Sequence, residues 1–124
     1  MAPKDKAVLA REHFERASPA VASDDYTEAV TWLFAALEAA IVAVADARGI
    51  DTQRQHWKKA EVAKQLHESG VLPYDFSDTL TVLNGARKTA VYEGEEPDLG
   101  DQSLEDLAGD VEAAVDLAEK VRHR

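Results

Sequence analysis

The chain contains no cysteine, which removes disulfides, thiolate nucleophiles and cysteine-based zinc sites together. Its four histidines, His13, His56, His67 and His123, show no HxxH, HxxxH or HExxH spacing. No Asp or Glu joins them in a ligand pattern, so neither a metal nor another cofactor is expected. Strand signals are scarce, because β-branched residues rarely alternate with polar ones; without strands, a glycine-rich phosphate loop has nothing to follow. Nothing marks a nucleophile for Ser–His–Asp chemistry. The opening segment MAPKDKAVLAREHFERA is polar and charged and has no apolar stretch of the secretory kind, so a cytoplasmic protein is expected.

Positive charge is also unevenly absent. Between Thr89 and Glu119 lie eleven acidic residues and no Lys or Arg, while the remainder of the chain is nearly neutral. The net charge of −10 therefore comes from one segment. That balance argues against nonspecific nucleic-acid binding by the whole surface and leaves a local basic face open. The acidic segment reads most simply as a solvated helix face and loop, with electrostatic docking of a basic partner as the sharper alternative.

What is present is helical periodicity. The 124 residues suit a single domain over 1–124 with one continuous core, and the spacing predicts four to five helices. The first covers 4–17, with a thin stripe of Ala7, Ala10, Phe14 and Ala17, and is interrupted at Pro19. Ser23 or Asp24 is placed to cap the second, which runs to Arg48 and stops at Gly49. The third starts near Asp51–Thr52 and ends at Gly70. Asp75 or Ser77 caps a fourth over 76–92; EGEEPDLGD is a loop; Ser103 caps the last, 104–121. The second helix is apolar nearly all round, with Glu38 as the lone charge near its centre. Such a helix sits in the middle of a bundle or along a dimer interface rather than in a membrane. The expected architecture is an all-α up-and-down bundle.

One charge disturbs this pattern. On a helical wheel Phe76, Leu80, Leu83 and Ala90 define the apolar stripe of the fourth helix, and Arg87 falls near its centre with Asn84 at the margin. A guanidinium does not lose its proton, so it needs a carboxylate or a water-filled cleft there. Three readings follow: an internal ion pair with Glu38, a long stem snorkelling from the bundle edge, or a cleft residue facing a phosphate or a second copy of the chain. A softer signal lies in the third helix, where Arg54, His56, Lys58, Lys59, Lys64 and His67 surround Trp57. Such a helix can contact phosphates and stack a base; the plainer reading is a solvated face with Trp57 in the core or an interface.

Four segments together resemble the HEPN superfamily of small helical domains. They are WLFAALEAAIVAVADARGI, QHWKKAEVAKQLHESGVLP, LNGARKTAVYEG and SLEDLAGDVEAAVDLAEKV, which follow one another in the family's order over roughly residues 26–121. Many members of that family are ribonucleases, often toxins, that use an Arg and a His four to six residues apart at a homodimer cleft. Arg87 matches the Arg. Tyr92, Glu93 and Gly94 stand where the His belongs, and Lys88 replaces the usual small polar residue, so the acid–base imidazole is missing.

The resemblance therefore implies an interaction or regulatory module, homodimeric, without robust catalysis. It further implies the HEPN half of a toxin–antitoxin-type pair with a nucleotidyltransferase, binding RNA or nucleotide. Arg87, Asn84, Tyr92 and Glu38 would line the cleft, with Arg54, His56, Lys58 and Lys59 as phosphate contacts. Tyr92 is one acceptor for nucleotide groups in such pairs. The alternative is a metal-independent ribonuclease using Arg87, with Tyr92 as an unconventional catalytic partner.

Overall fold

A helix that is apolar on nearly every side can be buried only by surrounding it, and the chain folds accordingly. In a computed structural model, residues 5–49, 59–94 and 99–122 are described. They form α1 (Lys6–Ala22), α2 (Tyr26–Ala47), α3 (Lys59–Glu68), α4 (Ser77–Lys88) and α5 (Leu104–Arg122), with a π-helical turn, Thr89–Glu93, continuing α4. No strand occurs among the described residues. Each of the other four helices packs against α2. The core is built from Val30, Leu33, Leu37, Ile41 and Val44 of α2 with Leu66, Leu83, Leu107, Val111 and Val115 around them. By length and composition α2 could cross a membrane, but more than half of its apolar window is buried inside the bundle.

The α1 surface that faces inward is almost entirely alanine: Ala7, Ala10, Ala17 and Ala20 are buried, with Phe14 and Val21 partly so. Small side chains on α1 meet a helix that buries Ala29, Ala36 and Ala40, which permits close approach of the two backbones. A second tie runs from α1 to α5. The Arg11 guanidinium hydrogen-bonds Glu119 through two nitrogens and reaches Asp116 at 2.6 Å. These carboxylates push the Arg11 pKa up, chiefly through the Glu119 hydrogen bond, so the charge is permanent.

Several boundaries differ from those expected. Helix α1 does not break at Pro19 but runs through it to Ala22. The proline lacks the N–H that would bond the carbonyl of Glu15, yet both residues are exposed, so water can serve that carbonyl. Ala17 and Ala20, buried on either side, hold the turn in place. Because Ser23 is then used as the C-cap of α1, the N-cap of α2 falls at Asp25, whose carboxylate accepts from the Glu28 amide, rather than at Ser23 or Asp24. At the other end of α4, the α-helix stops at Lys88 instead of continuing to 92.

Other terminators follow the sequence. Gly49 has φ +76° beyond α2, a left-handed conformation that a side chain would strain. Ser103 accepts from the Asp106 amide at 3.0 Å while Asp106 accepts from Ser103 N at 3.4 Å, a reciprocal cap that starts α5. At α4 the N-cap is Phe76 in place of Asp75 or Ser77, and the Asp75 carboxylate before it accepts from the Ser77 amide at 2.9 Å. Hydrogen bonds from the Ser77 side chain and backbone hold the Asp75 carboxyl below its ordinary value of 3.8.

Overpacking the alanine interface should be costly: Ala10→Leu is expected to lose about 1–3 kcal/mol in urea unfolding, whereas Ser103→Ala should lose about 1 kcal/mol. A depressed folded-state pKa means that the Asp75 contribution is complete above the unfolded value and is lost as pH falls through the lower folded one. Asp75→Asn should therefore flatten the stability–pH profile below about pH 4, measured by thermal unfolding in acid.

Candidate functional site

Arg87 lies on the last turn of α4, at the angle that Leu80 and Leu83 occupy further up the helix, so its side chain is directed towards α2. It is half-buried. One terminal nitrogen donates to Oδ1 of Asn84 at 3.2 Å, one turn back on the same helix. The guanidinium carbon stands 4.7 Å from the centroid of the Phe34 ring on α2. A cation over an aromatic face is attracted by the ring quadrupole, about 0.5–2 kcal/mol depending on desolvation. The Arg87 Nε, in contrast, is buried with no hydrogen-bond partner, which costs about 1–3 kcal/mol.

The hydrogen-bond partner of Arg87 is thus Asn84 rather than Glu38. Glu38 is half-buried and lies one helical turn beyond Phe34 on α2, on the same side. The two helices therefore bring Asn84, Arg87 and Phe34 into contact and set Glu38 along the same wall. Phe34 is the member that sequence reading misses. Its partner is more than fifty residues away, and its only local signal is an aromatic at the margin of an apolar helix.

Tyr92 is placed differently. After Lys88 the chain enters the π turn, in which bonding reaches one residue further than in an α-helix, and Tyr92 lies five residues beyond Arg87, on another side of the helix. The turn closes at Gly94, with φ +67° and its N–H on the Thr89 carbonyl. Tyr92 is 74% exposed, facing solvent while Arg87 faces α2. Arg54, His56, Trp57 and Lys58, and the side chain of Lys59, lie outside the described residues. Among the described residues no group of three or more His, Asp or Glu side chains is arranged to hold a metal ion.

The face of α2 beside Phe34 is incompletely covered. Thr31, Ala35, Glu38 and Val42 recur at helical spacing and are all half-buried, flanked by the fully buried core side of the helix. Chemically, the cleft offers a permanent cation with unused donors, an amide, an aromatic face and a nearby carboxylate. It can bind an anionic or planar group, and Asn84, Arg87, Phe34 and Glu38 include no imidazole to exchange protons near neutral pH.

If Arg87 is retained for binding rather than stability, removing its charge should not harm the fold. Arg87→Met removes the orphaned Nε and keeps an apolar, polarisable side chain over Phe34, so its thermal midpoint should match or exceed that of the unaltered protein. Phe34→Ala, which empties the wall, should lower it.

A family model described as HEPN domain covers residues 9–124. No curated protein and no solved structure matches the chain.

Proposed function

The chain belongs to the HEPN domain family, and on that premise we propose that it is an interaction or regulatory module that binds RNA or nucleotide phosphates at a homodimer cleft without robust catalysis. HEPN domains are often ribonucleases or toxin–antitoxin modules, and they commonly dimerise and pair with nucleotidyltransferases. The observation that carries the reading is the state of Arg87: half-buried, oriented by Asn84 and Phe34, and left with a buried unbonded Nε. A guanidinium held in that condition has N–H groups beyond the one given to Asn84, and a phosphate oxygen is an acceptor for those on its exposed side.

The partly uncovered stripe on α2 supports the dimer. Thr31, Ala35, Glu38 and Val42 form a narrow face on which a second copy can pack, bringing two Arg87 side chains to one cleft. In this reading Arg87 and Asn84 contact the ligand, Tyr92 lies at the rim, and Arg54, His56, Lys58 and Lys59 extend the phosphate path. The companion protein is a nucleotidyltransferase, for which the exposed Tyr92 hydroxyl is the accessible acceptor. The absence of an imidazole at positions 92–94 is what favours binding over cleavage.

One experiment separates this from the ribonuclease alternative. The protein is mixed with end-labelled RNA of mixed sequence, and both anisotropy and strand integrity are followed. Salt-dependent binding with intact RNA is expected, and Arg87→Met should weaken it about ten-fold. Cleavage that disappears in Arg87→Met would overturn the proposal in favour of the ribonuclease. Binding that is indifferent to Arg87 would remove the cleft from the account.

A further inference from the structure

A second concave site lies at the opposite end of α4, against α5. Thr79 and Arg87 are eight residues apart, about 12 Å of helix rise, and point to different neighbours. The cavity measures about 280 Å³ and is lined by Tyr74, Asp75, Phe76, Thr79, Asp110 and Ala113. Phe76 is buried and forms the floor, while Tyr74 is 62% exposed and meets the Phe76 ring edge-on at 6.1 Å. Thr79, almost wholly buried, donates its hydroxyl to Oδ2 of Asp110 at 3.2 Å. That bond fixes the carboxylate and leaves most of its acceptor capacity unused.

We propose that this cavity is a binding site for an arginine side chain presented by a partner polypeptide. Its lining contains two carboxylates and two aromatic rings and no basic group. Lys64 and His67 act on Asp75 from α3, and the Asp75 carboxyl already accepts from Ser77, so Asp110 is the carboxylate left to receive the ligand. The stretch of α5 around it, residues 104–119, carries acids and no Lys or Arg, and a surface of one sign draws cations.

The volume suits one head group rather than an extended polyamine. Among organic cations, guanidinium fits the lining best. It is planar, stacks on an aromatic face and bonds a carboxylate with two parallel N–H groups, whereas an ammonium is a compact, strongly hydrated point charge. Tyr74 at the rim is placed to close over the plane of the guanidinium. The cavity shares no lining residue with the Arg87 cleft.

The test follows chemical shifts of the full chain during titration with N-acetyl-arginine amide. Saturable changes are expected in the Tyr74 ring and in the amides of residues 75–79 and 110–113. N-acetyl-lysine amide should bind more weakly and the neutral citrulline analogue not at all. Asp110→Asn still accepts from Thr79, and Tyr74→Ala alters an exposed ring; each should weaken binding about ten-fold with the unfolding midpoint unchanged. Should Asp110→Asn disturb folding, Tyr74→Ala gives the same reading. An arginine within a Gly/Ser peptide should bind at least as well as the free amide. Shifts that fail to saturate, that spread along α5, that citrulline reproduces or that persist in both variants would overturn the site. Binding of the free amide but not of the peptide would overturn the polypeptide source.

Discussion

Enclosure of α2 is the constraint on which the other features depend. The helix presents apolar side chains over most of its circumference, so it must be wrapped by α1, α3, α4 and α5, and each surrounding helix needs only one apolar face. The wrapping is incomplete along the Thr31–Ala35–Glu38–Val42 stripe. A polar residue at the centre of an otherwise apolar helix is tolerable there, since its side chain lies at the edge of the enclosure. The same gap gives α4 room to aim a guanidinium at Phe34 instead of a leucine at the core.

Arg87 occupies a position that packing alone would fill with an aliphatic residue. Its favourable contacts, a cation–aromatic interaction and one hydrogen bond from the guanidinium to a neutral amide, are of the same size as the desolvation of an unpaired buried nitrogen. Stability therefore supplies little reason for an arginine. The charge is held in place and left incompletely satisfied, the arrangement expected where a ligand completes the hydrogen bonding. Tyr92, within the π turn that follows, faces solvent instead.

Much of this was legible in the sequence, and the failures have physical causes. The all-α class, the central position of the second helix, the stop at Gly49 and the Ser103 cap follow from local pattern and turn chemistry. The family was also legible, in segments whose order and spacing outweigh their individual weakness. Pro19 misled because its cost in an isolated helix is large, whereas here the unserved carbonyl faces water and the flanking alanines are fixed by tertiary packing. The π turn could not be read, since Thr89–Glu93 has ordinary helix-forming residues and only the hydrogen-bond pattern distinguishes it. Charge logic ranks Glu38 first as the partner of Arg87, but the side chains that reach the guanidinium are Asn84 and Phe34.

The alanine face of α1 gives the bundle a fixed register. Each buried alanine removes little apolar surface from water, so α1 gains its hold from proximity: its contact with α2 is the most extensive between helices of the described residues. His13 and Arg16 also reach the Trp32 ring of α2, and Arg11 clamps α5. With little side-chain bulk between the two helices, neither can slide or roll without opening a gap that its neighbours cannot fill. The register of the bundle is thus set where its side chains are smallest.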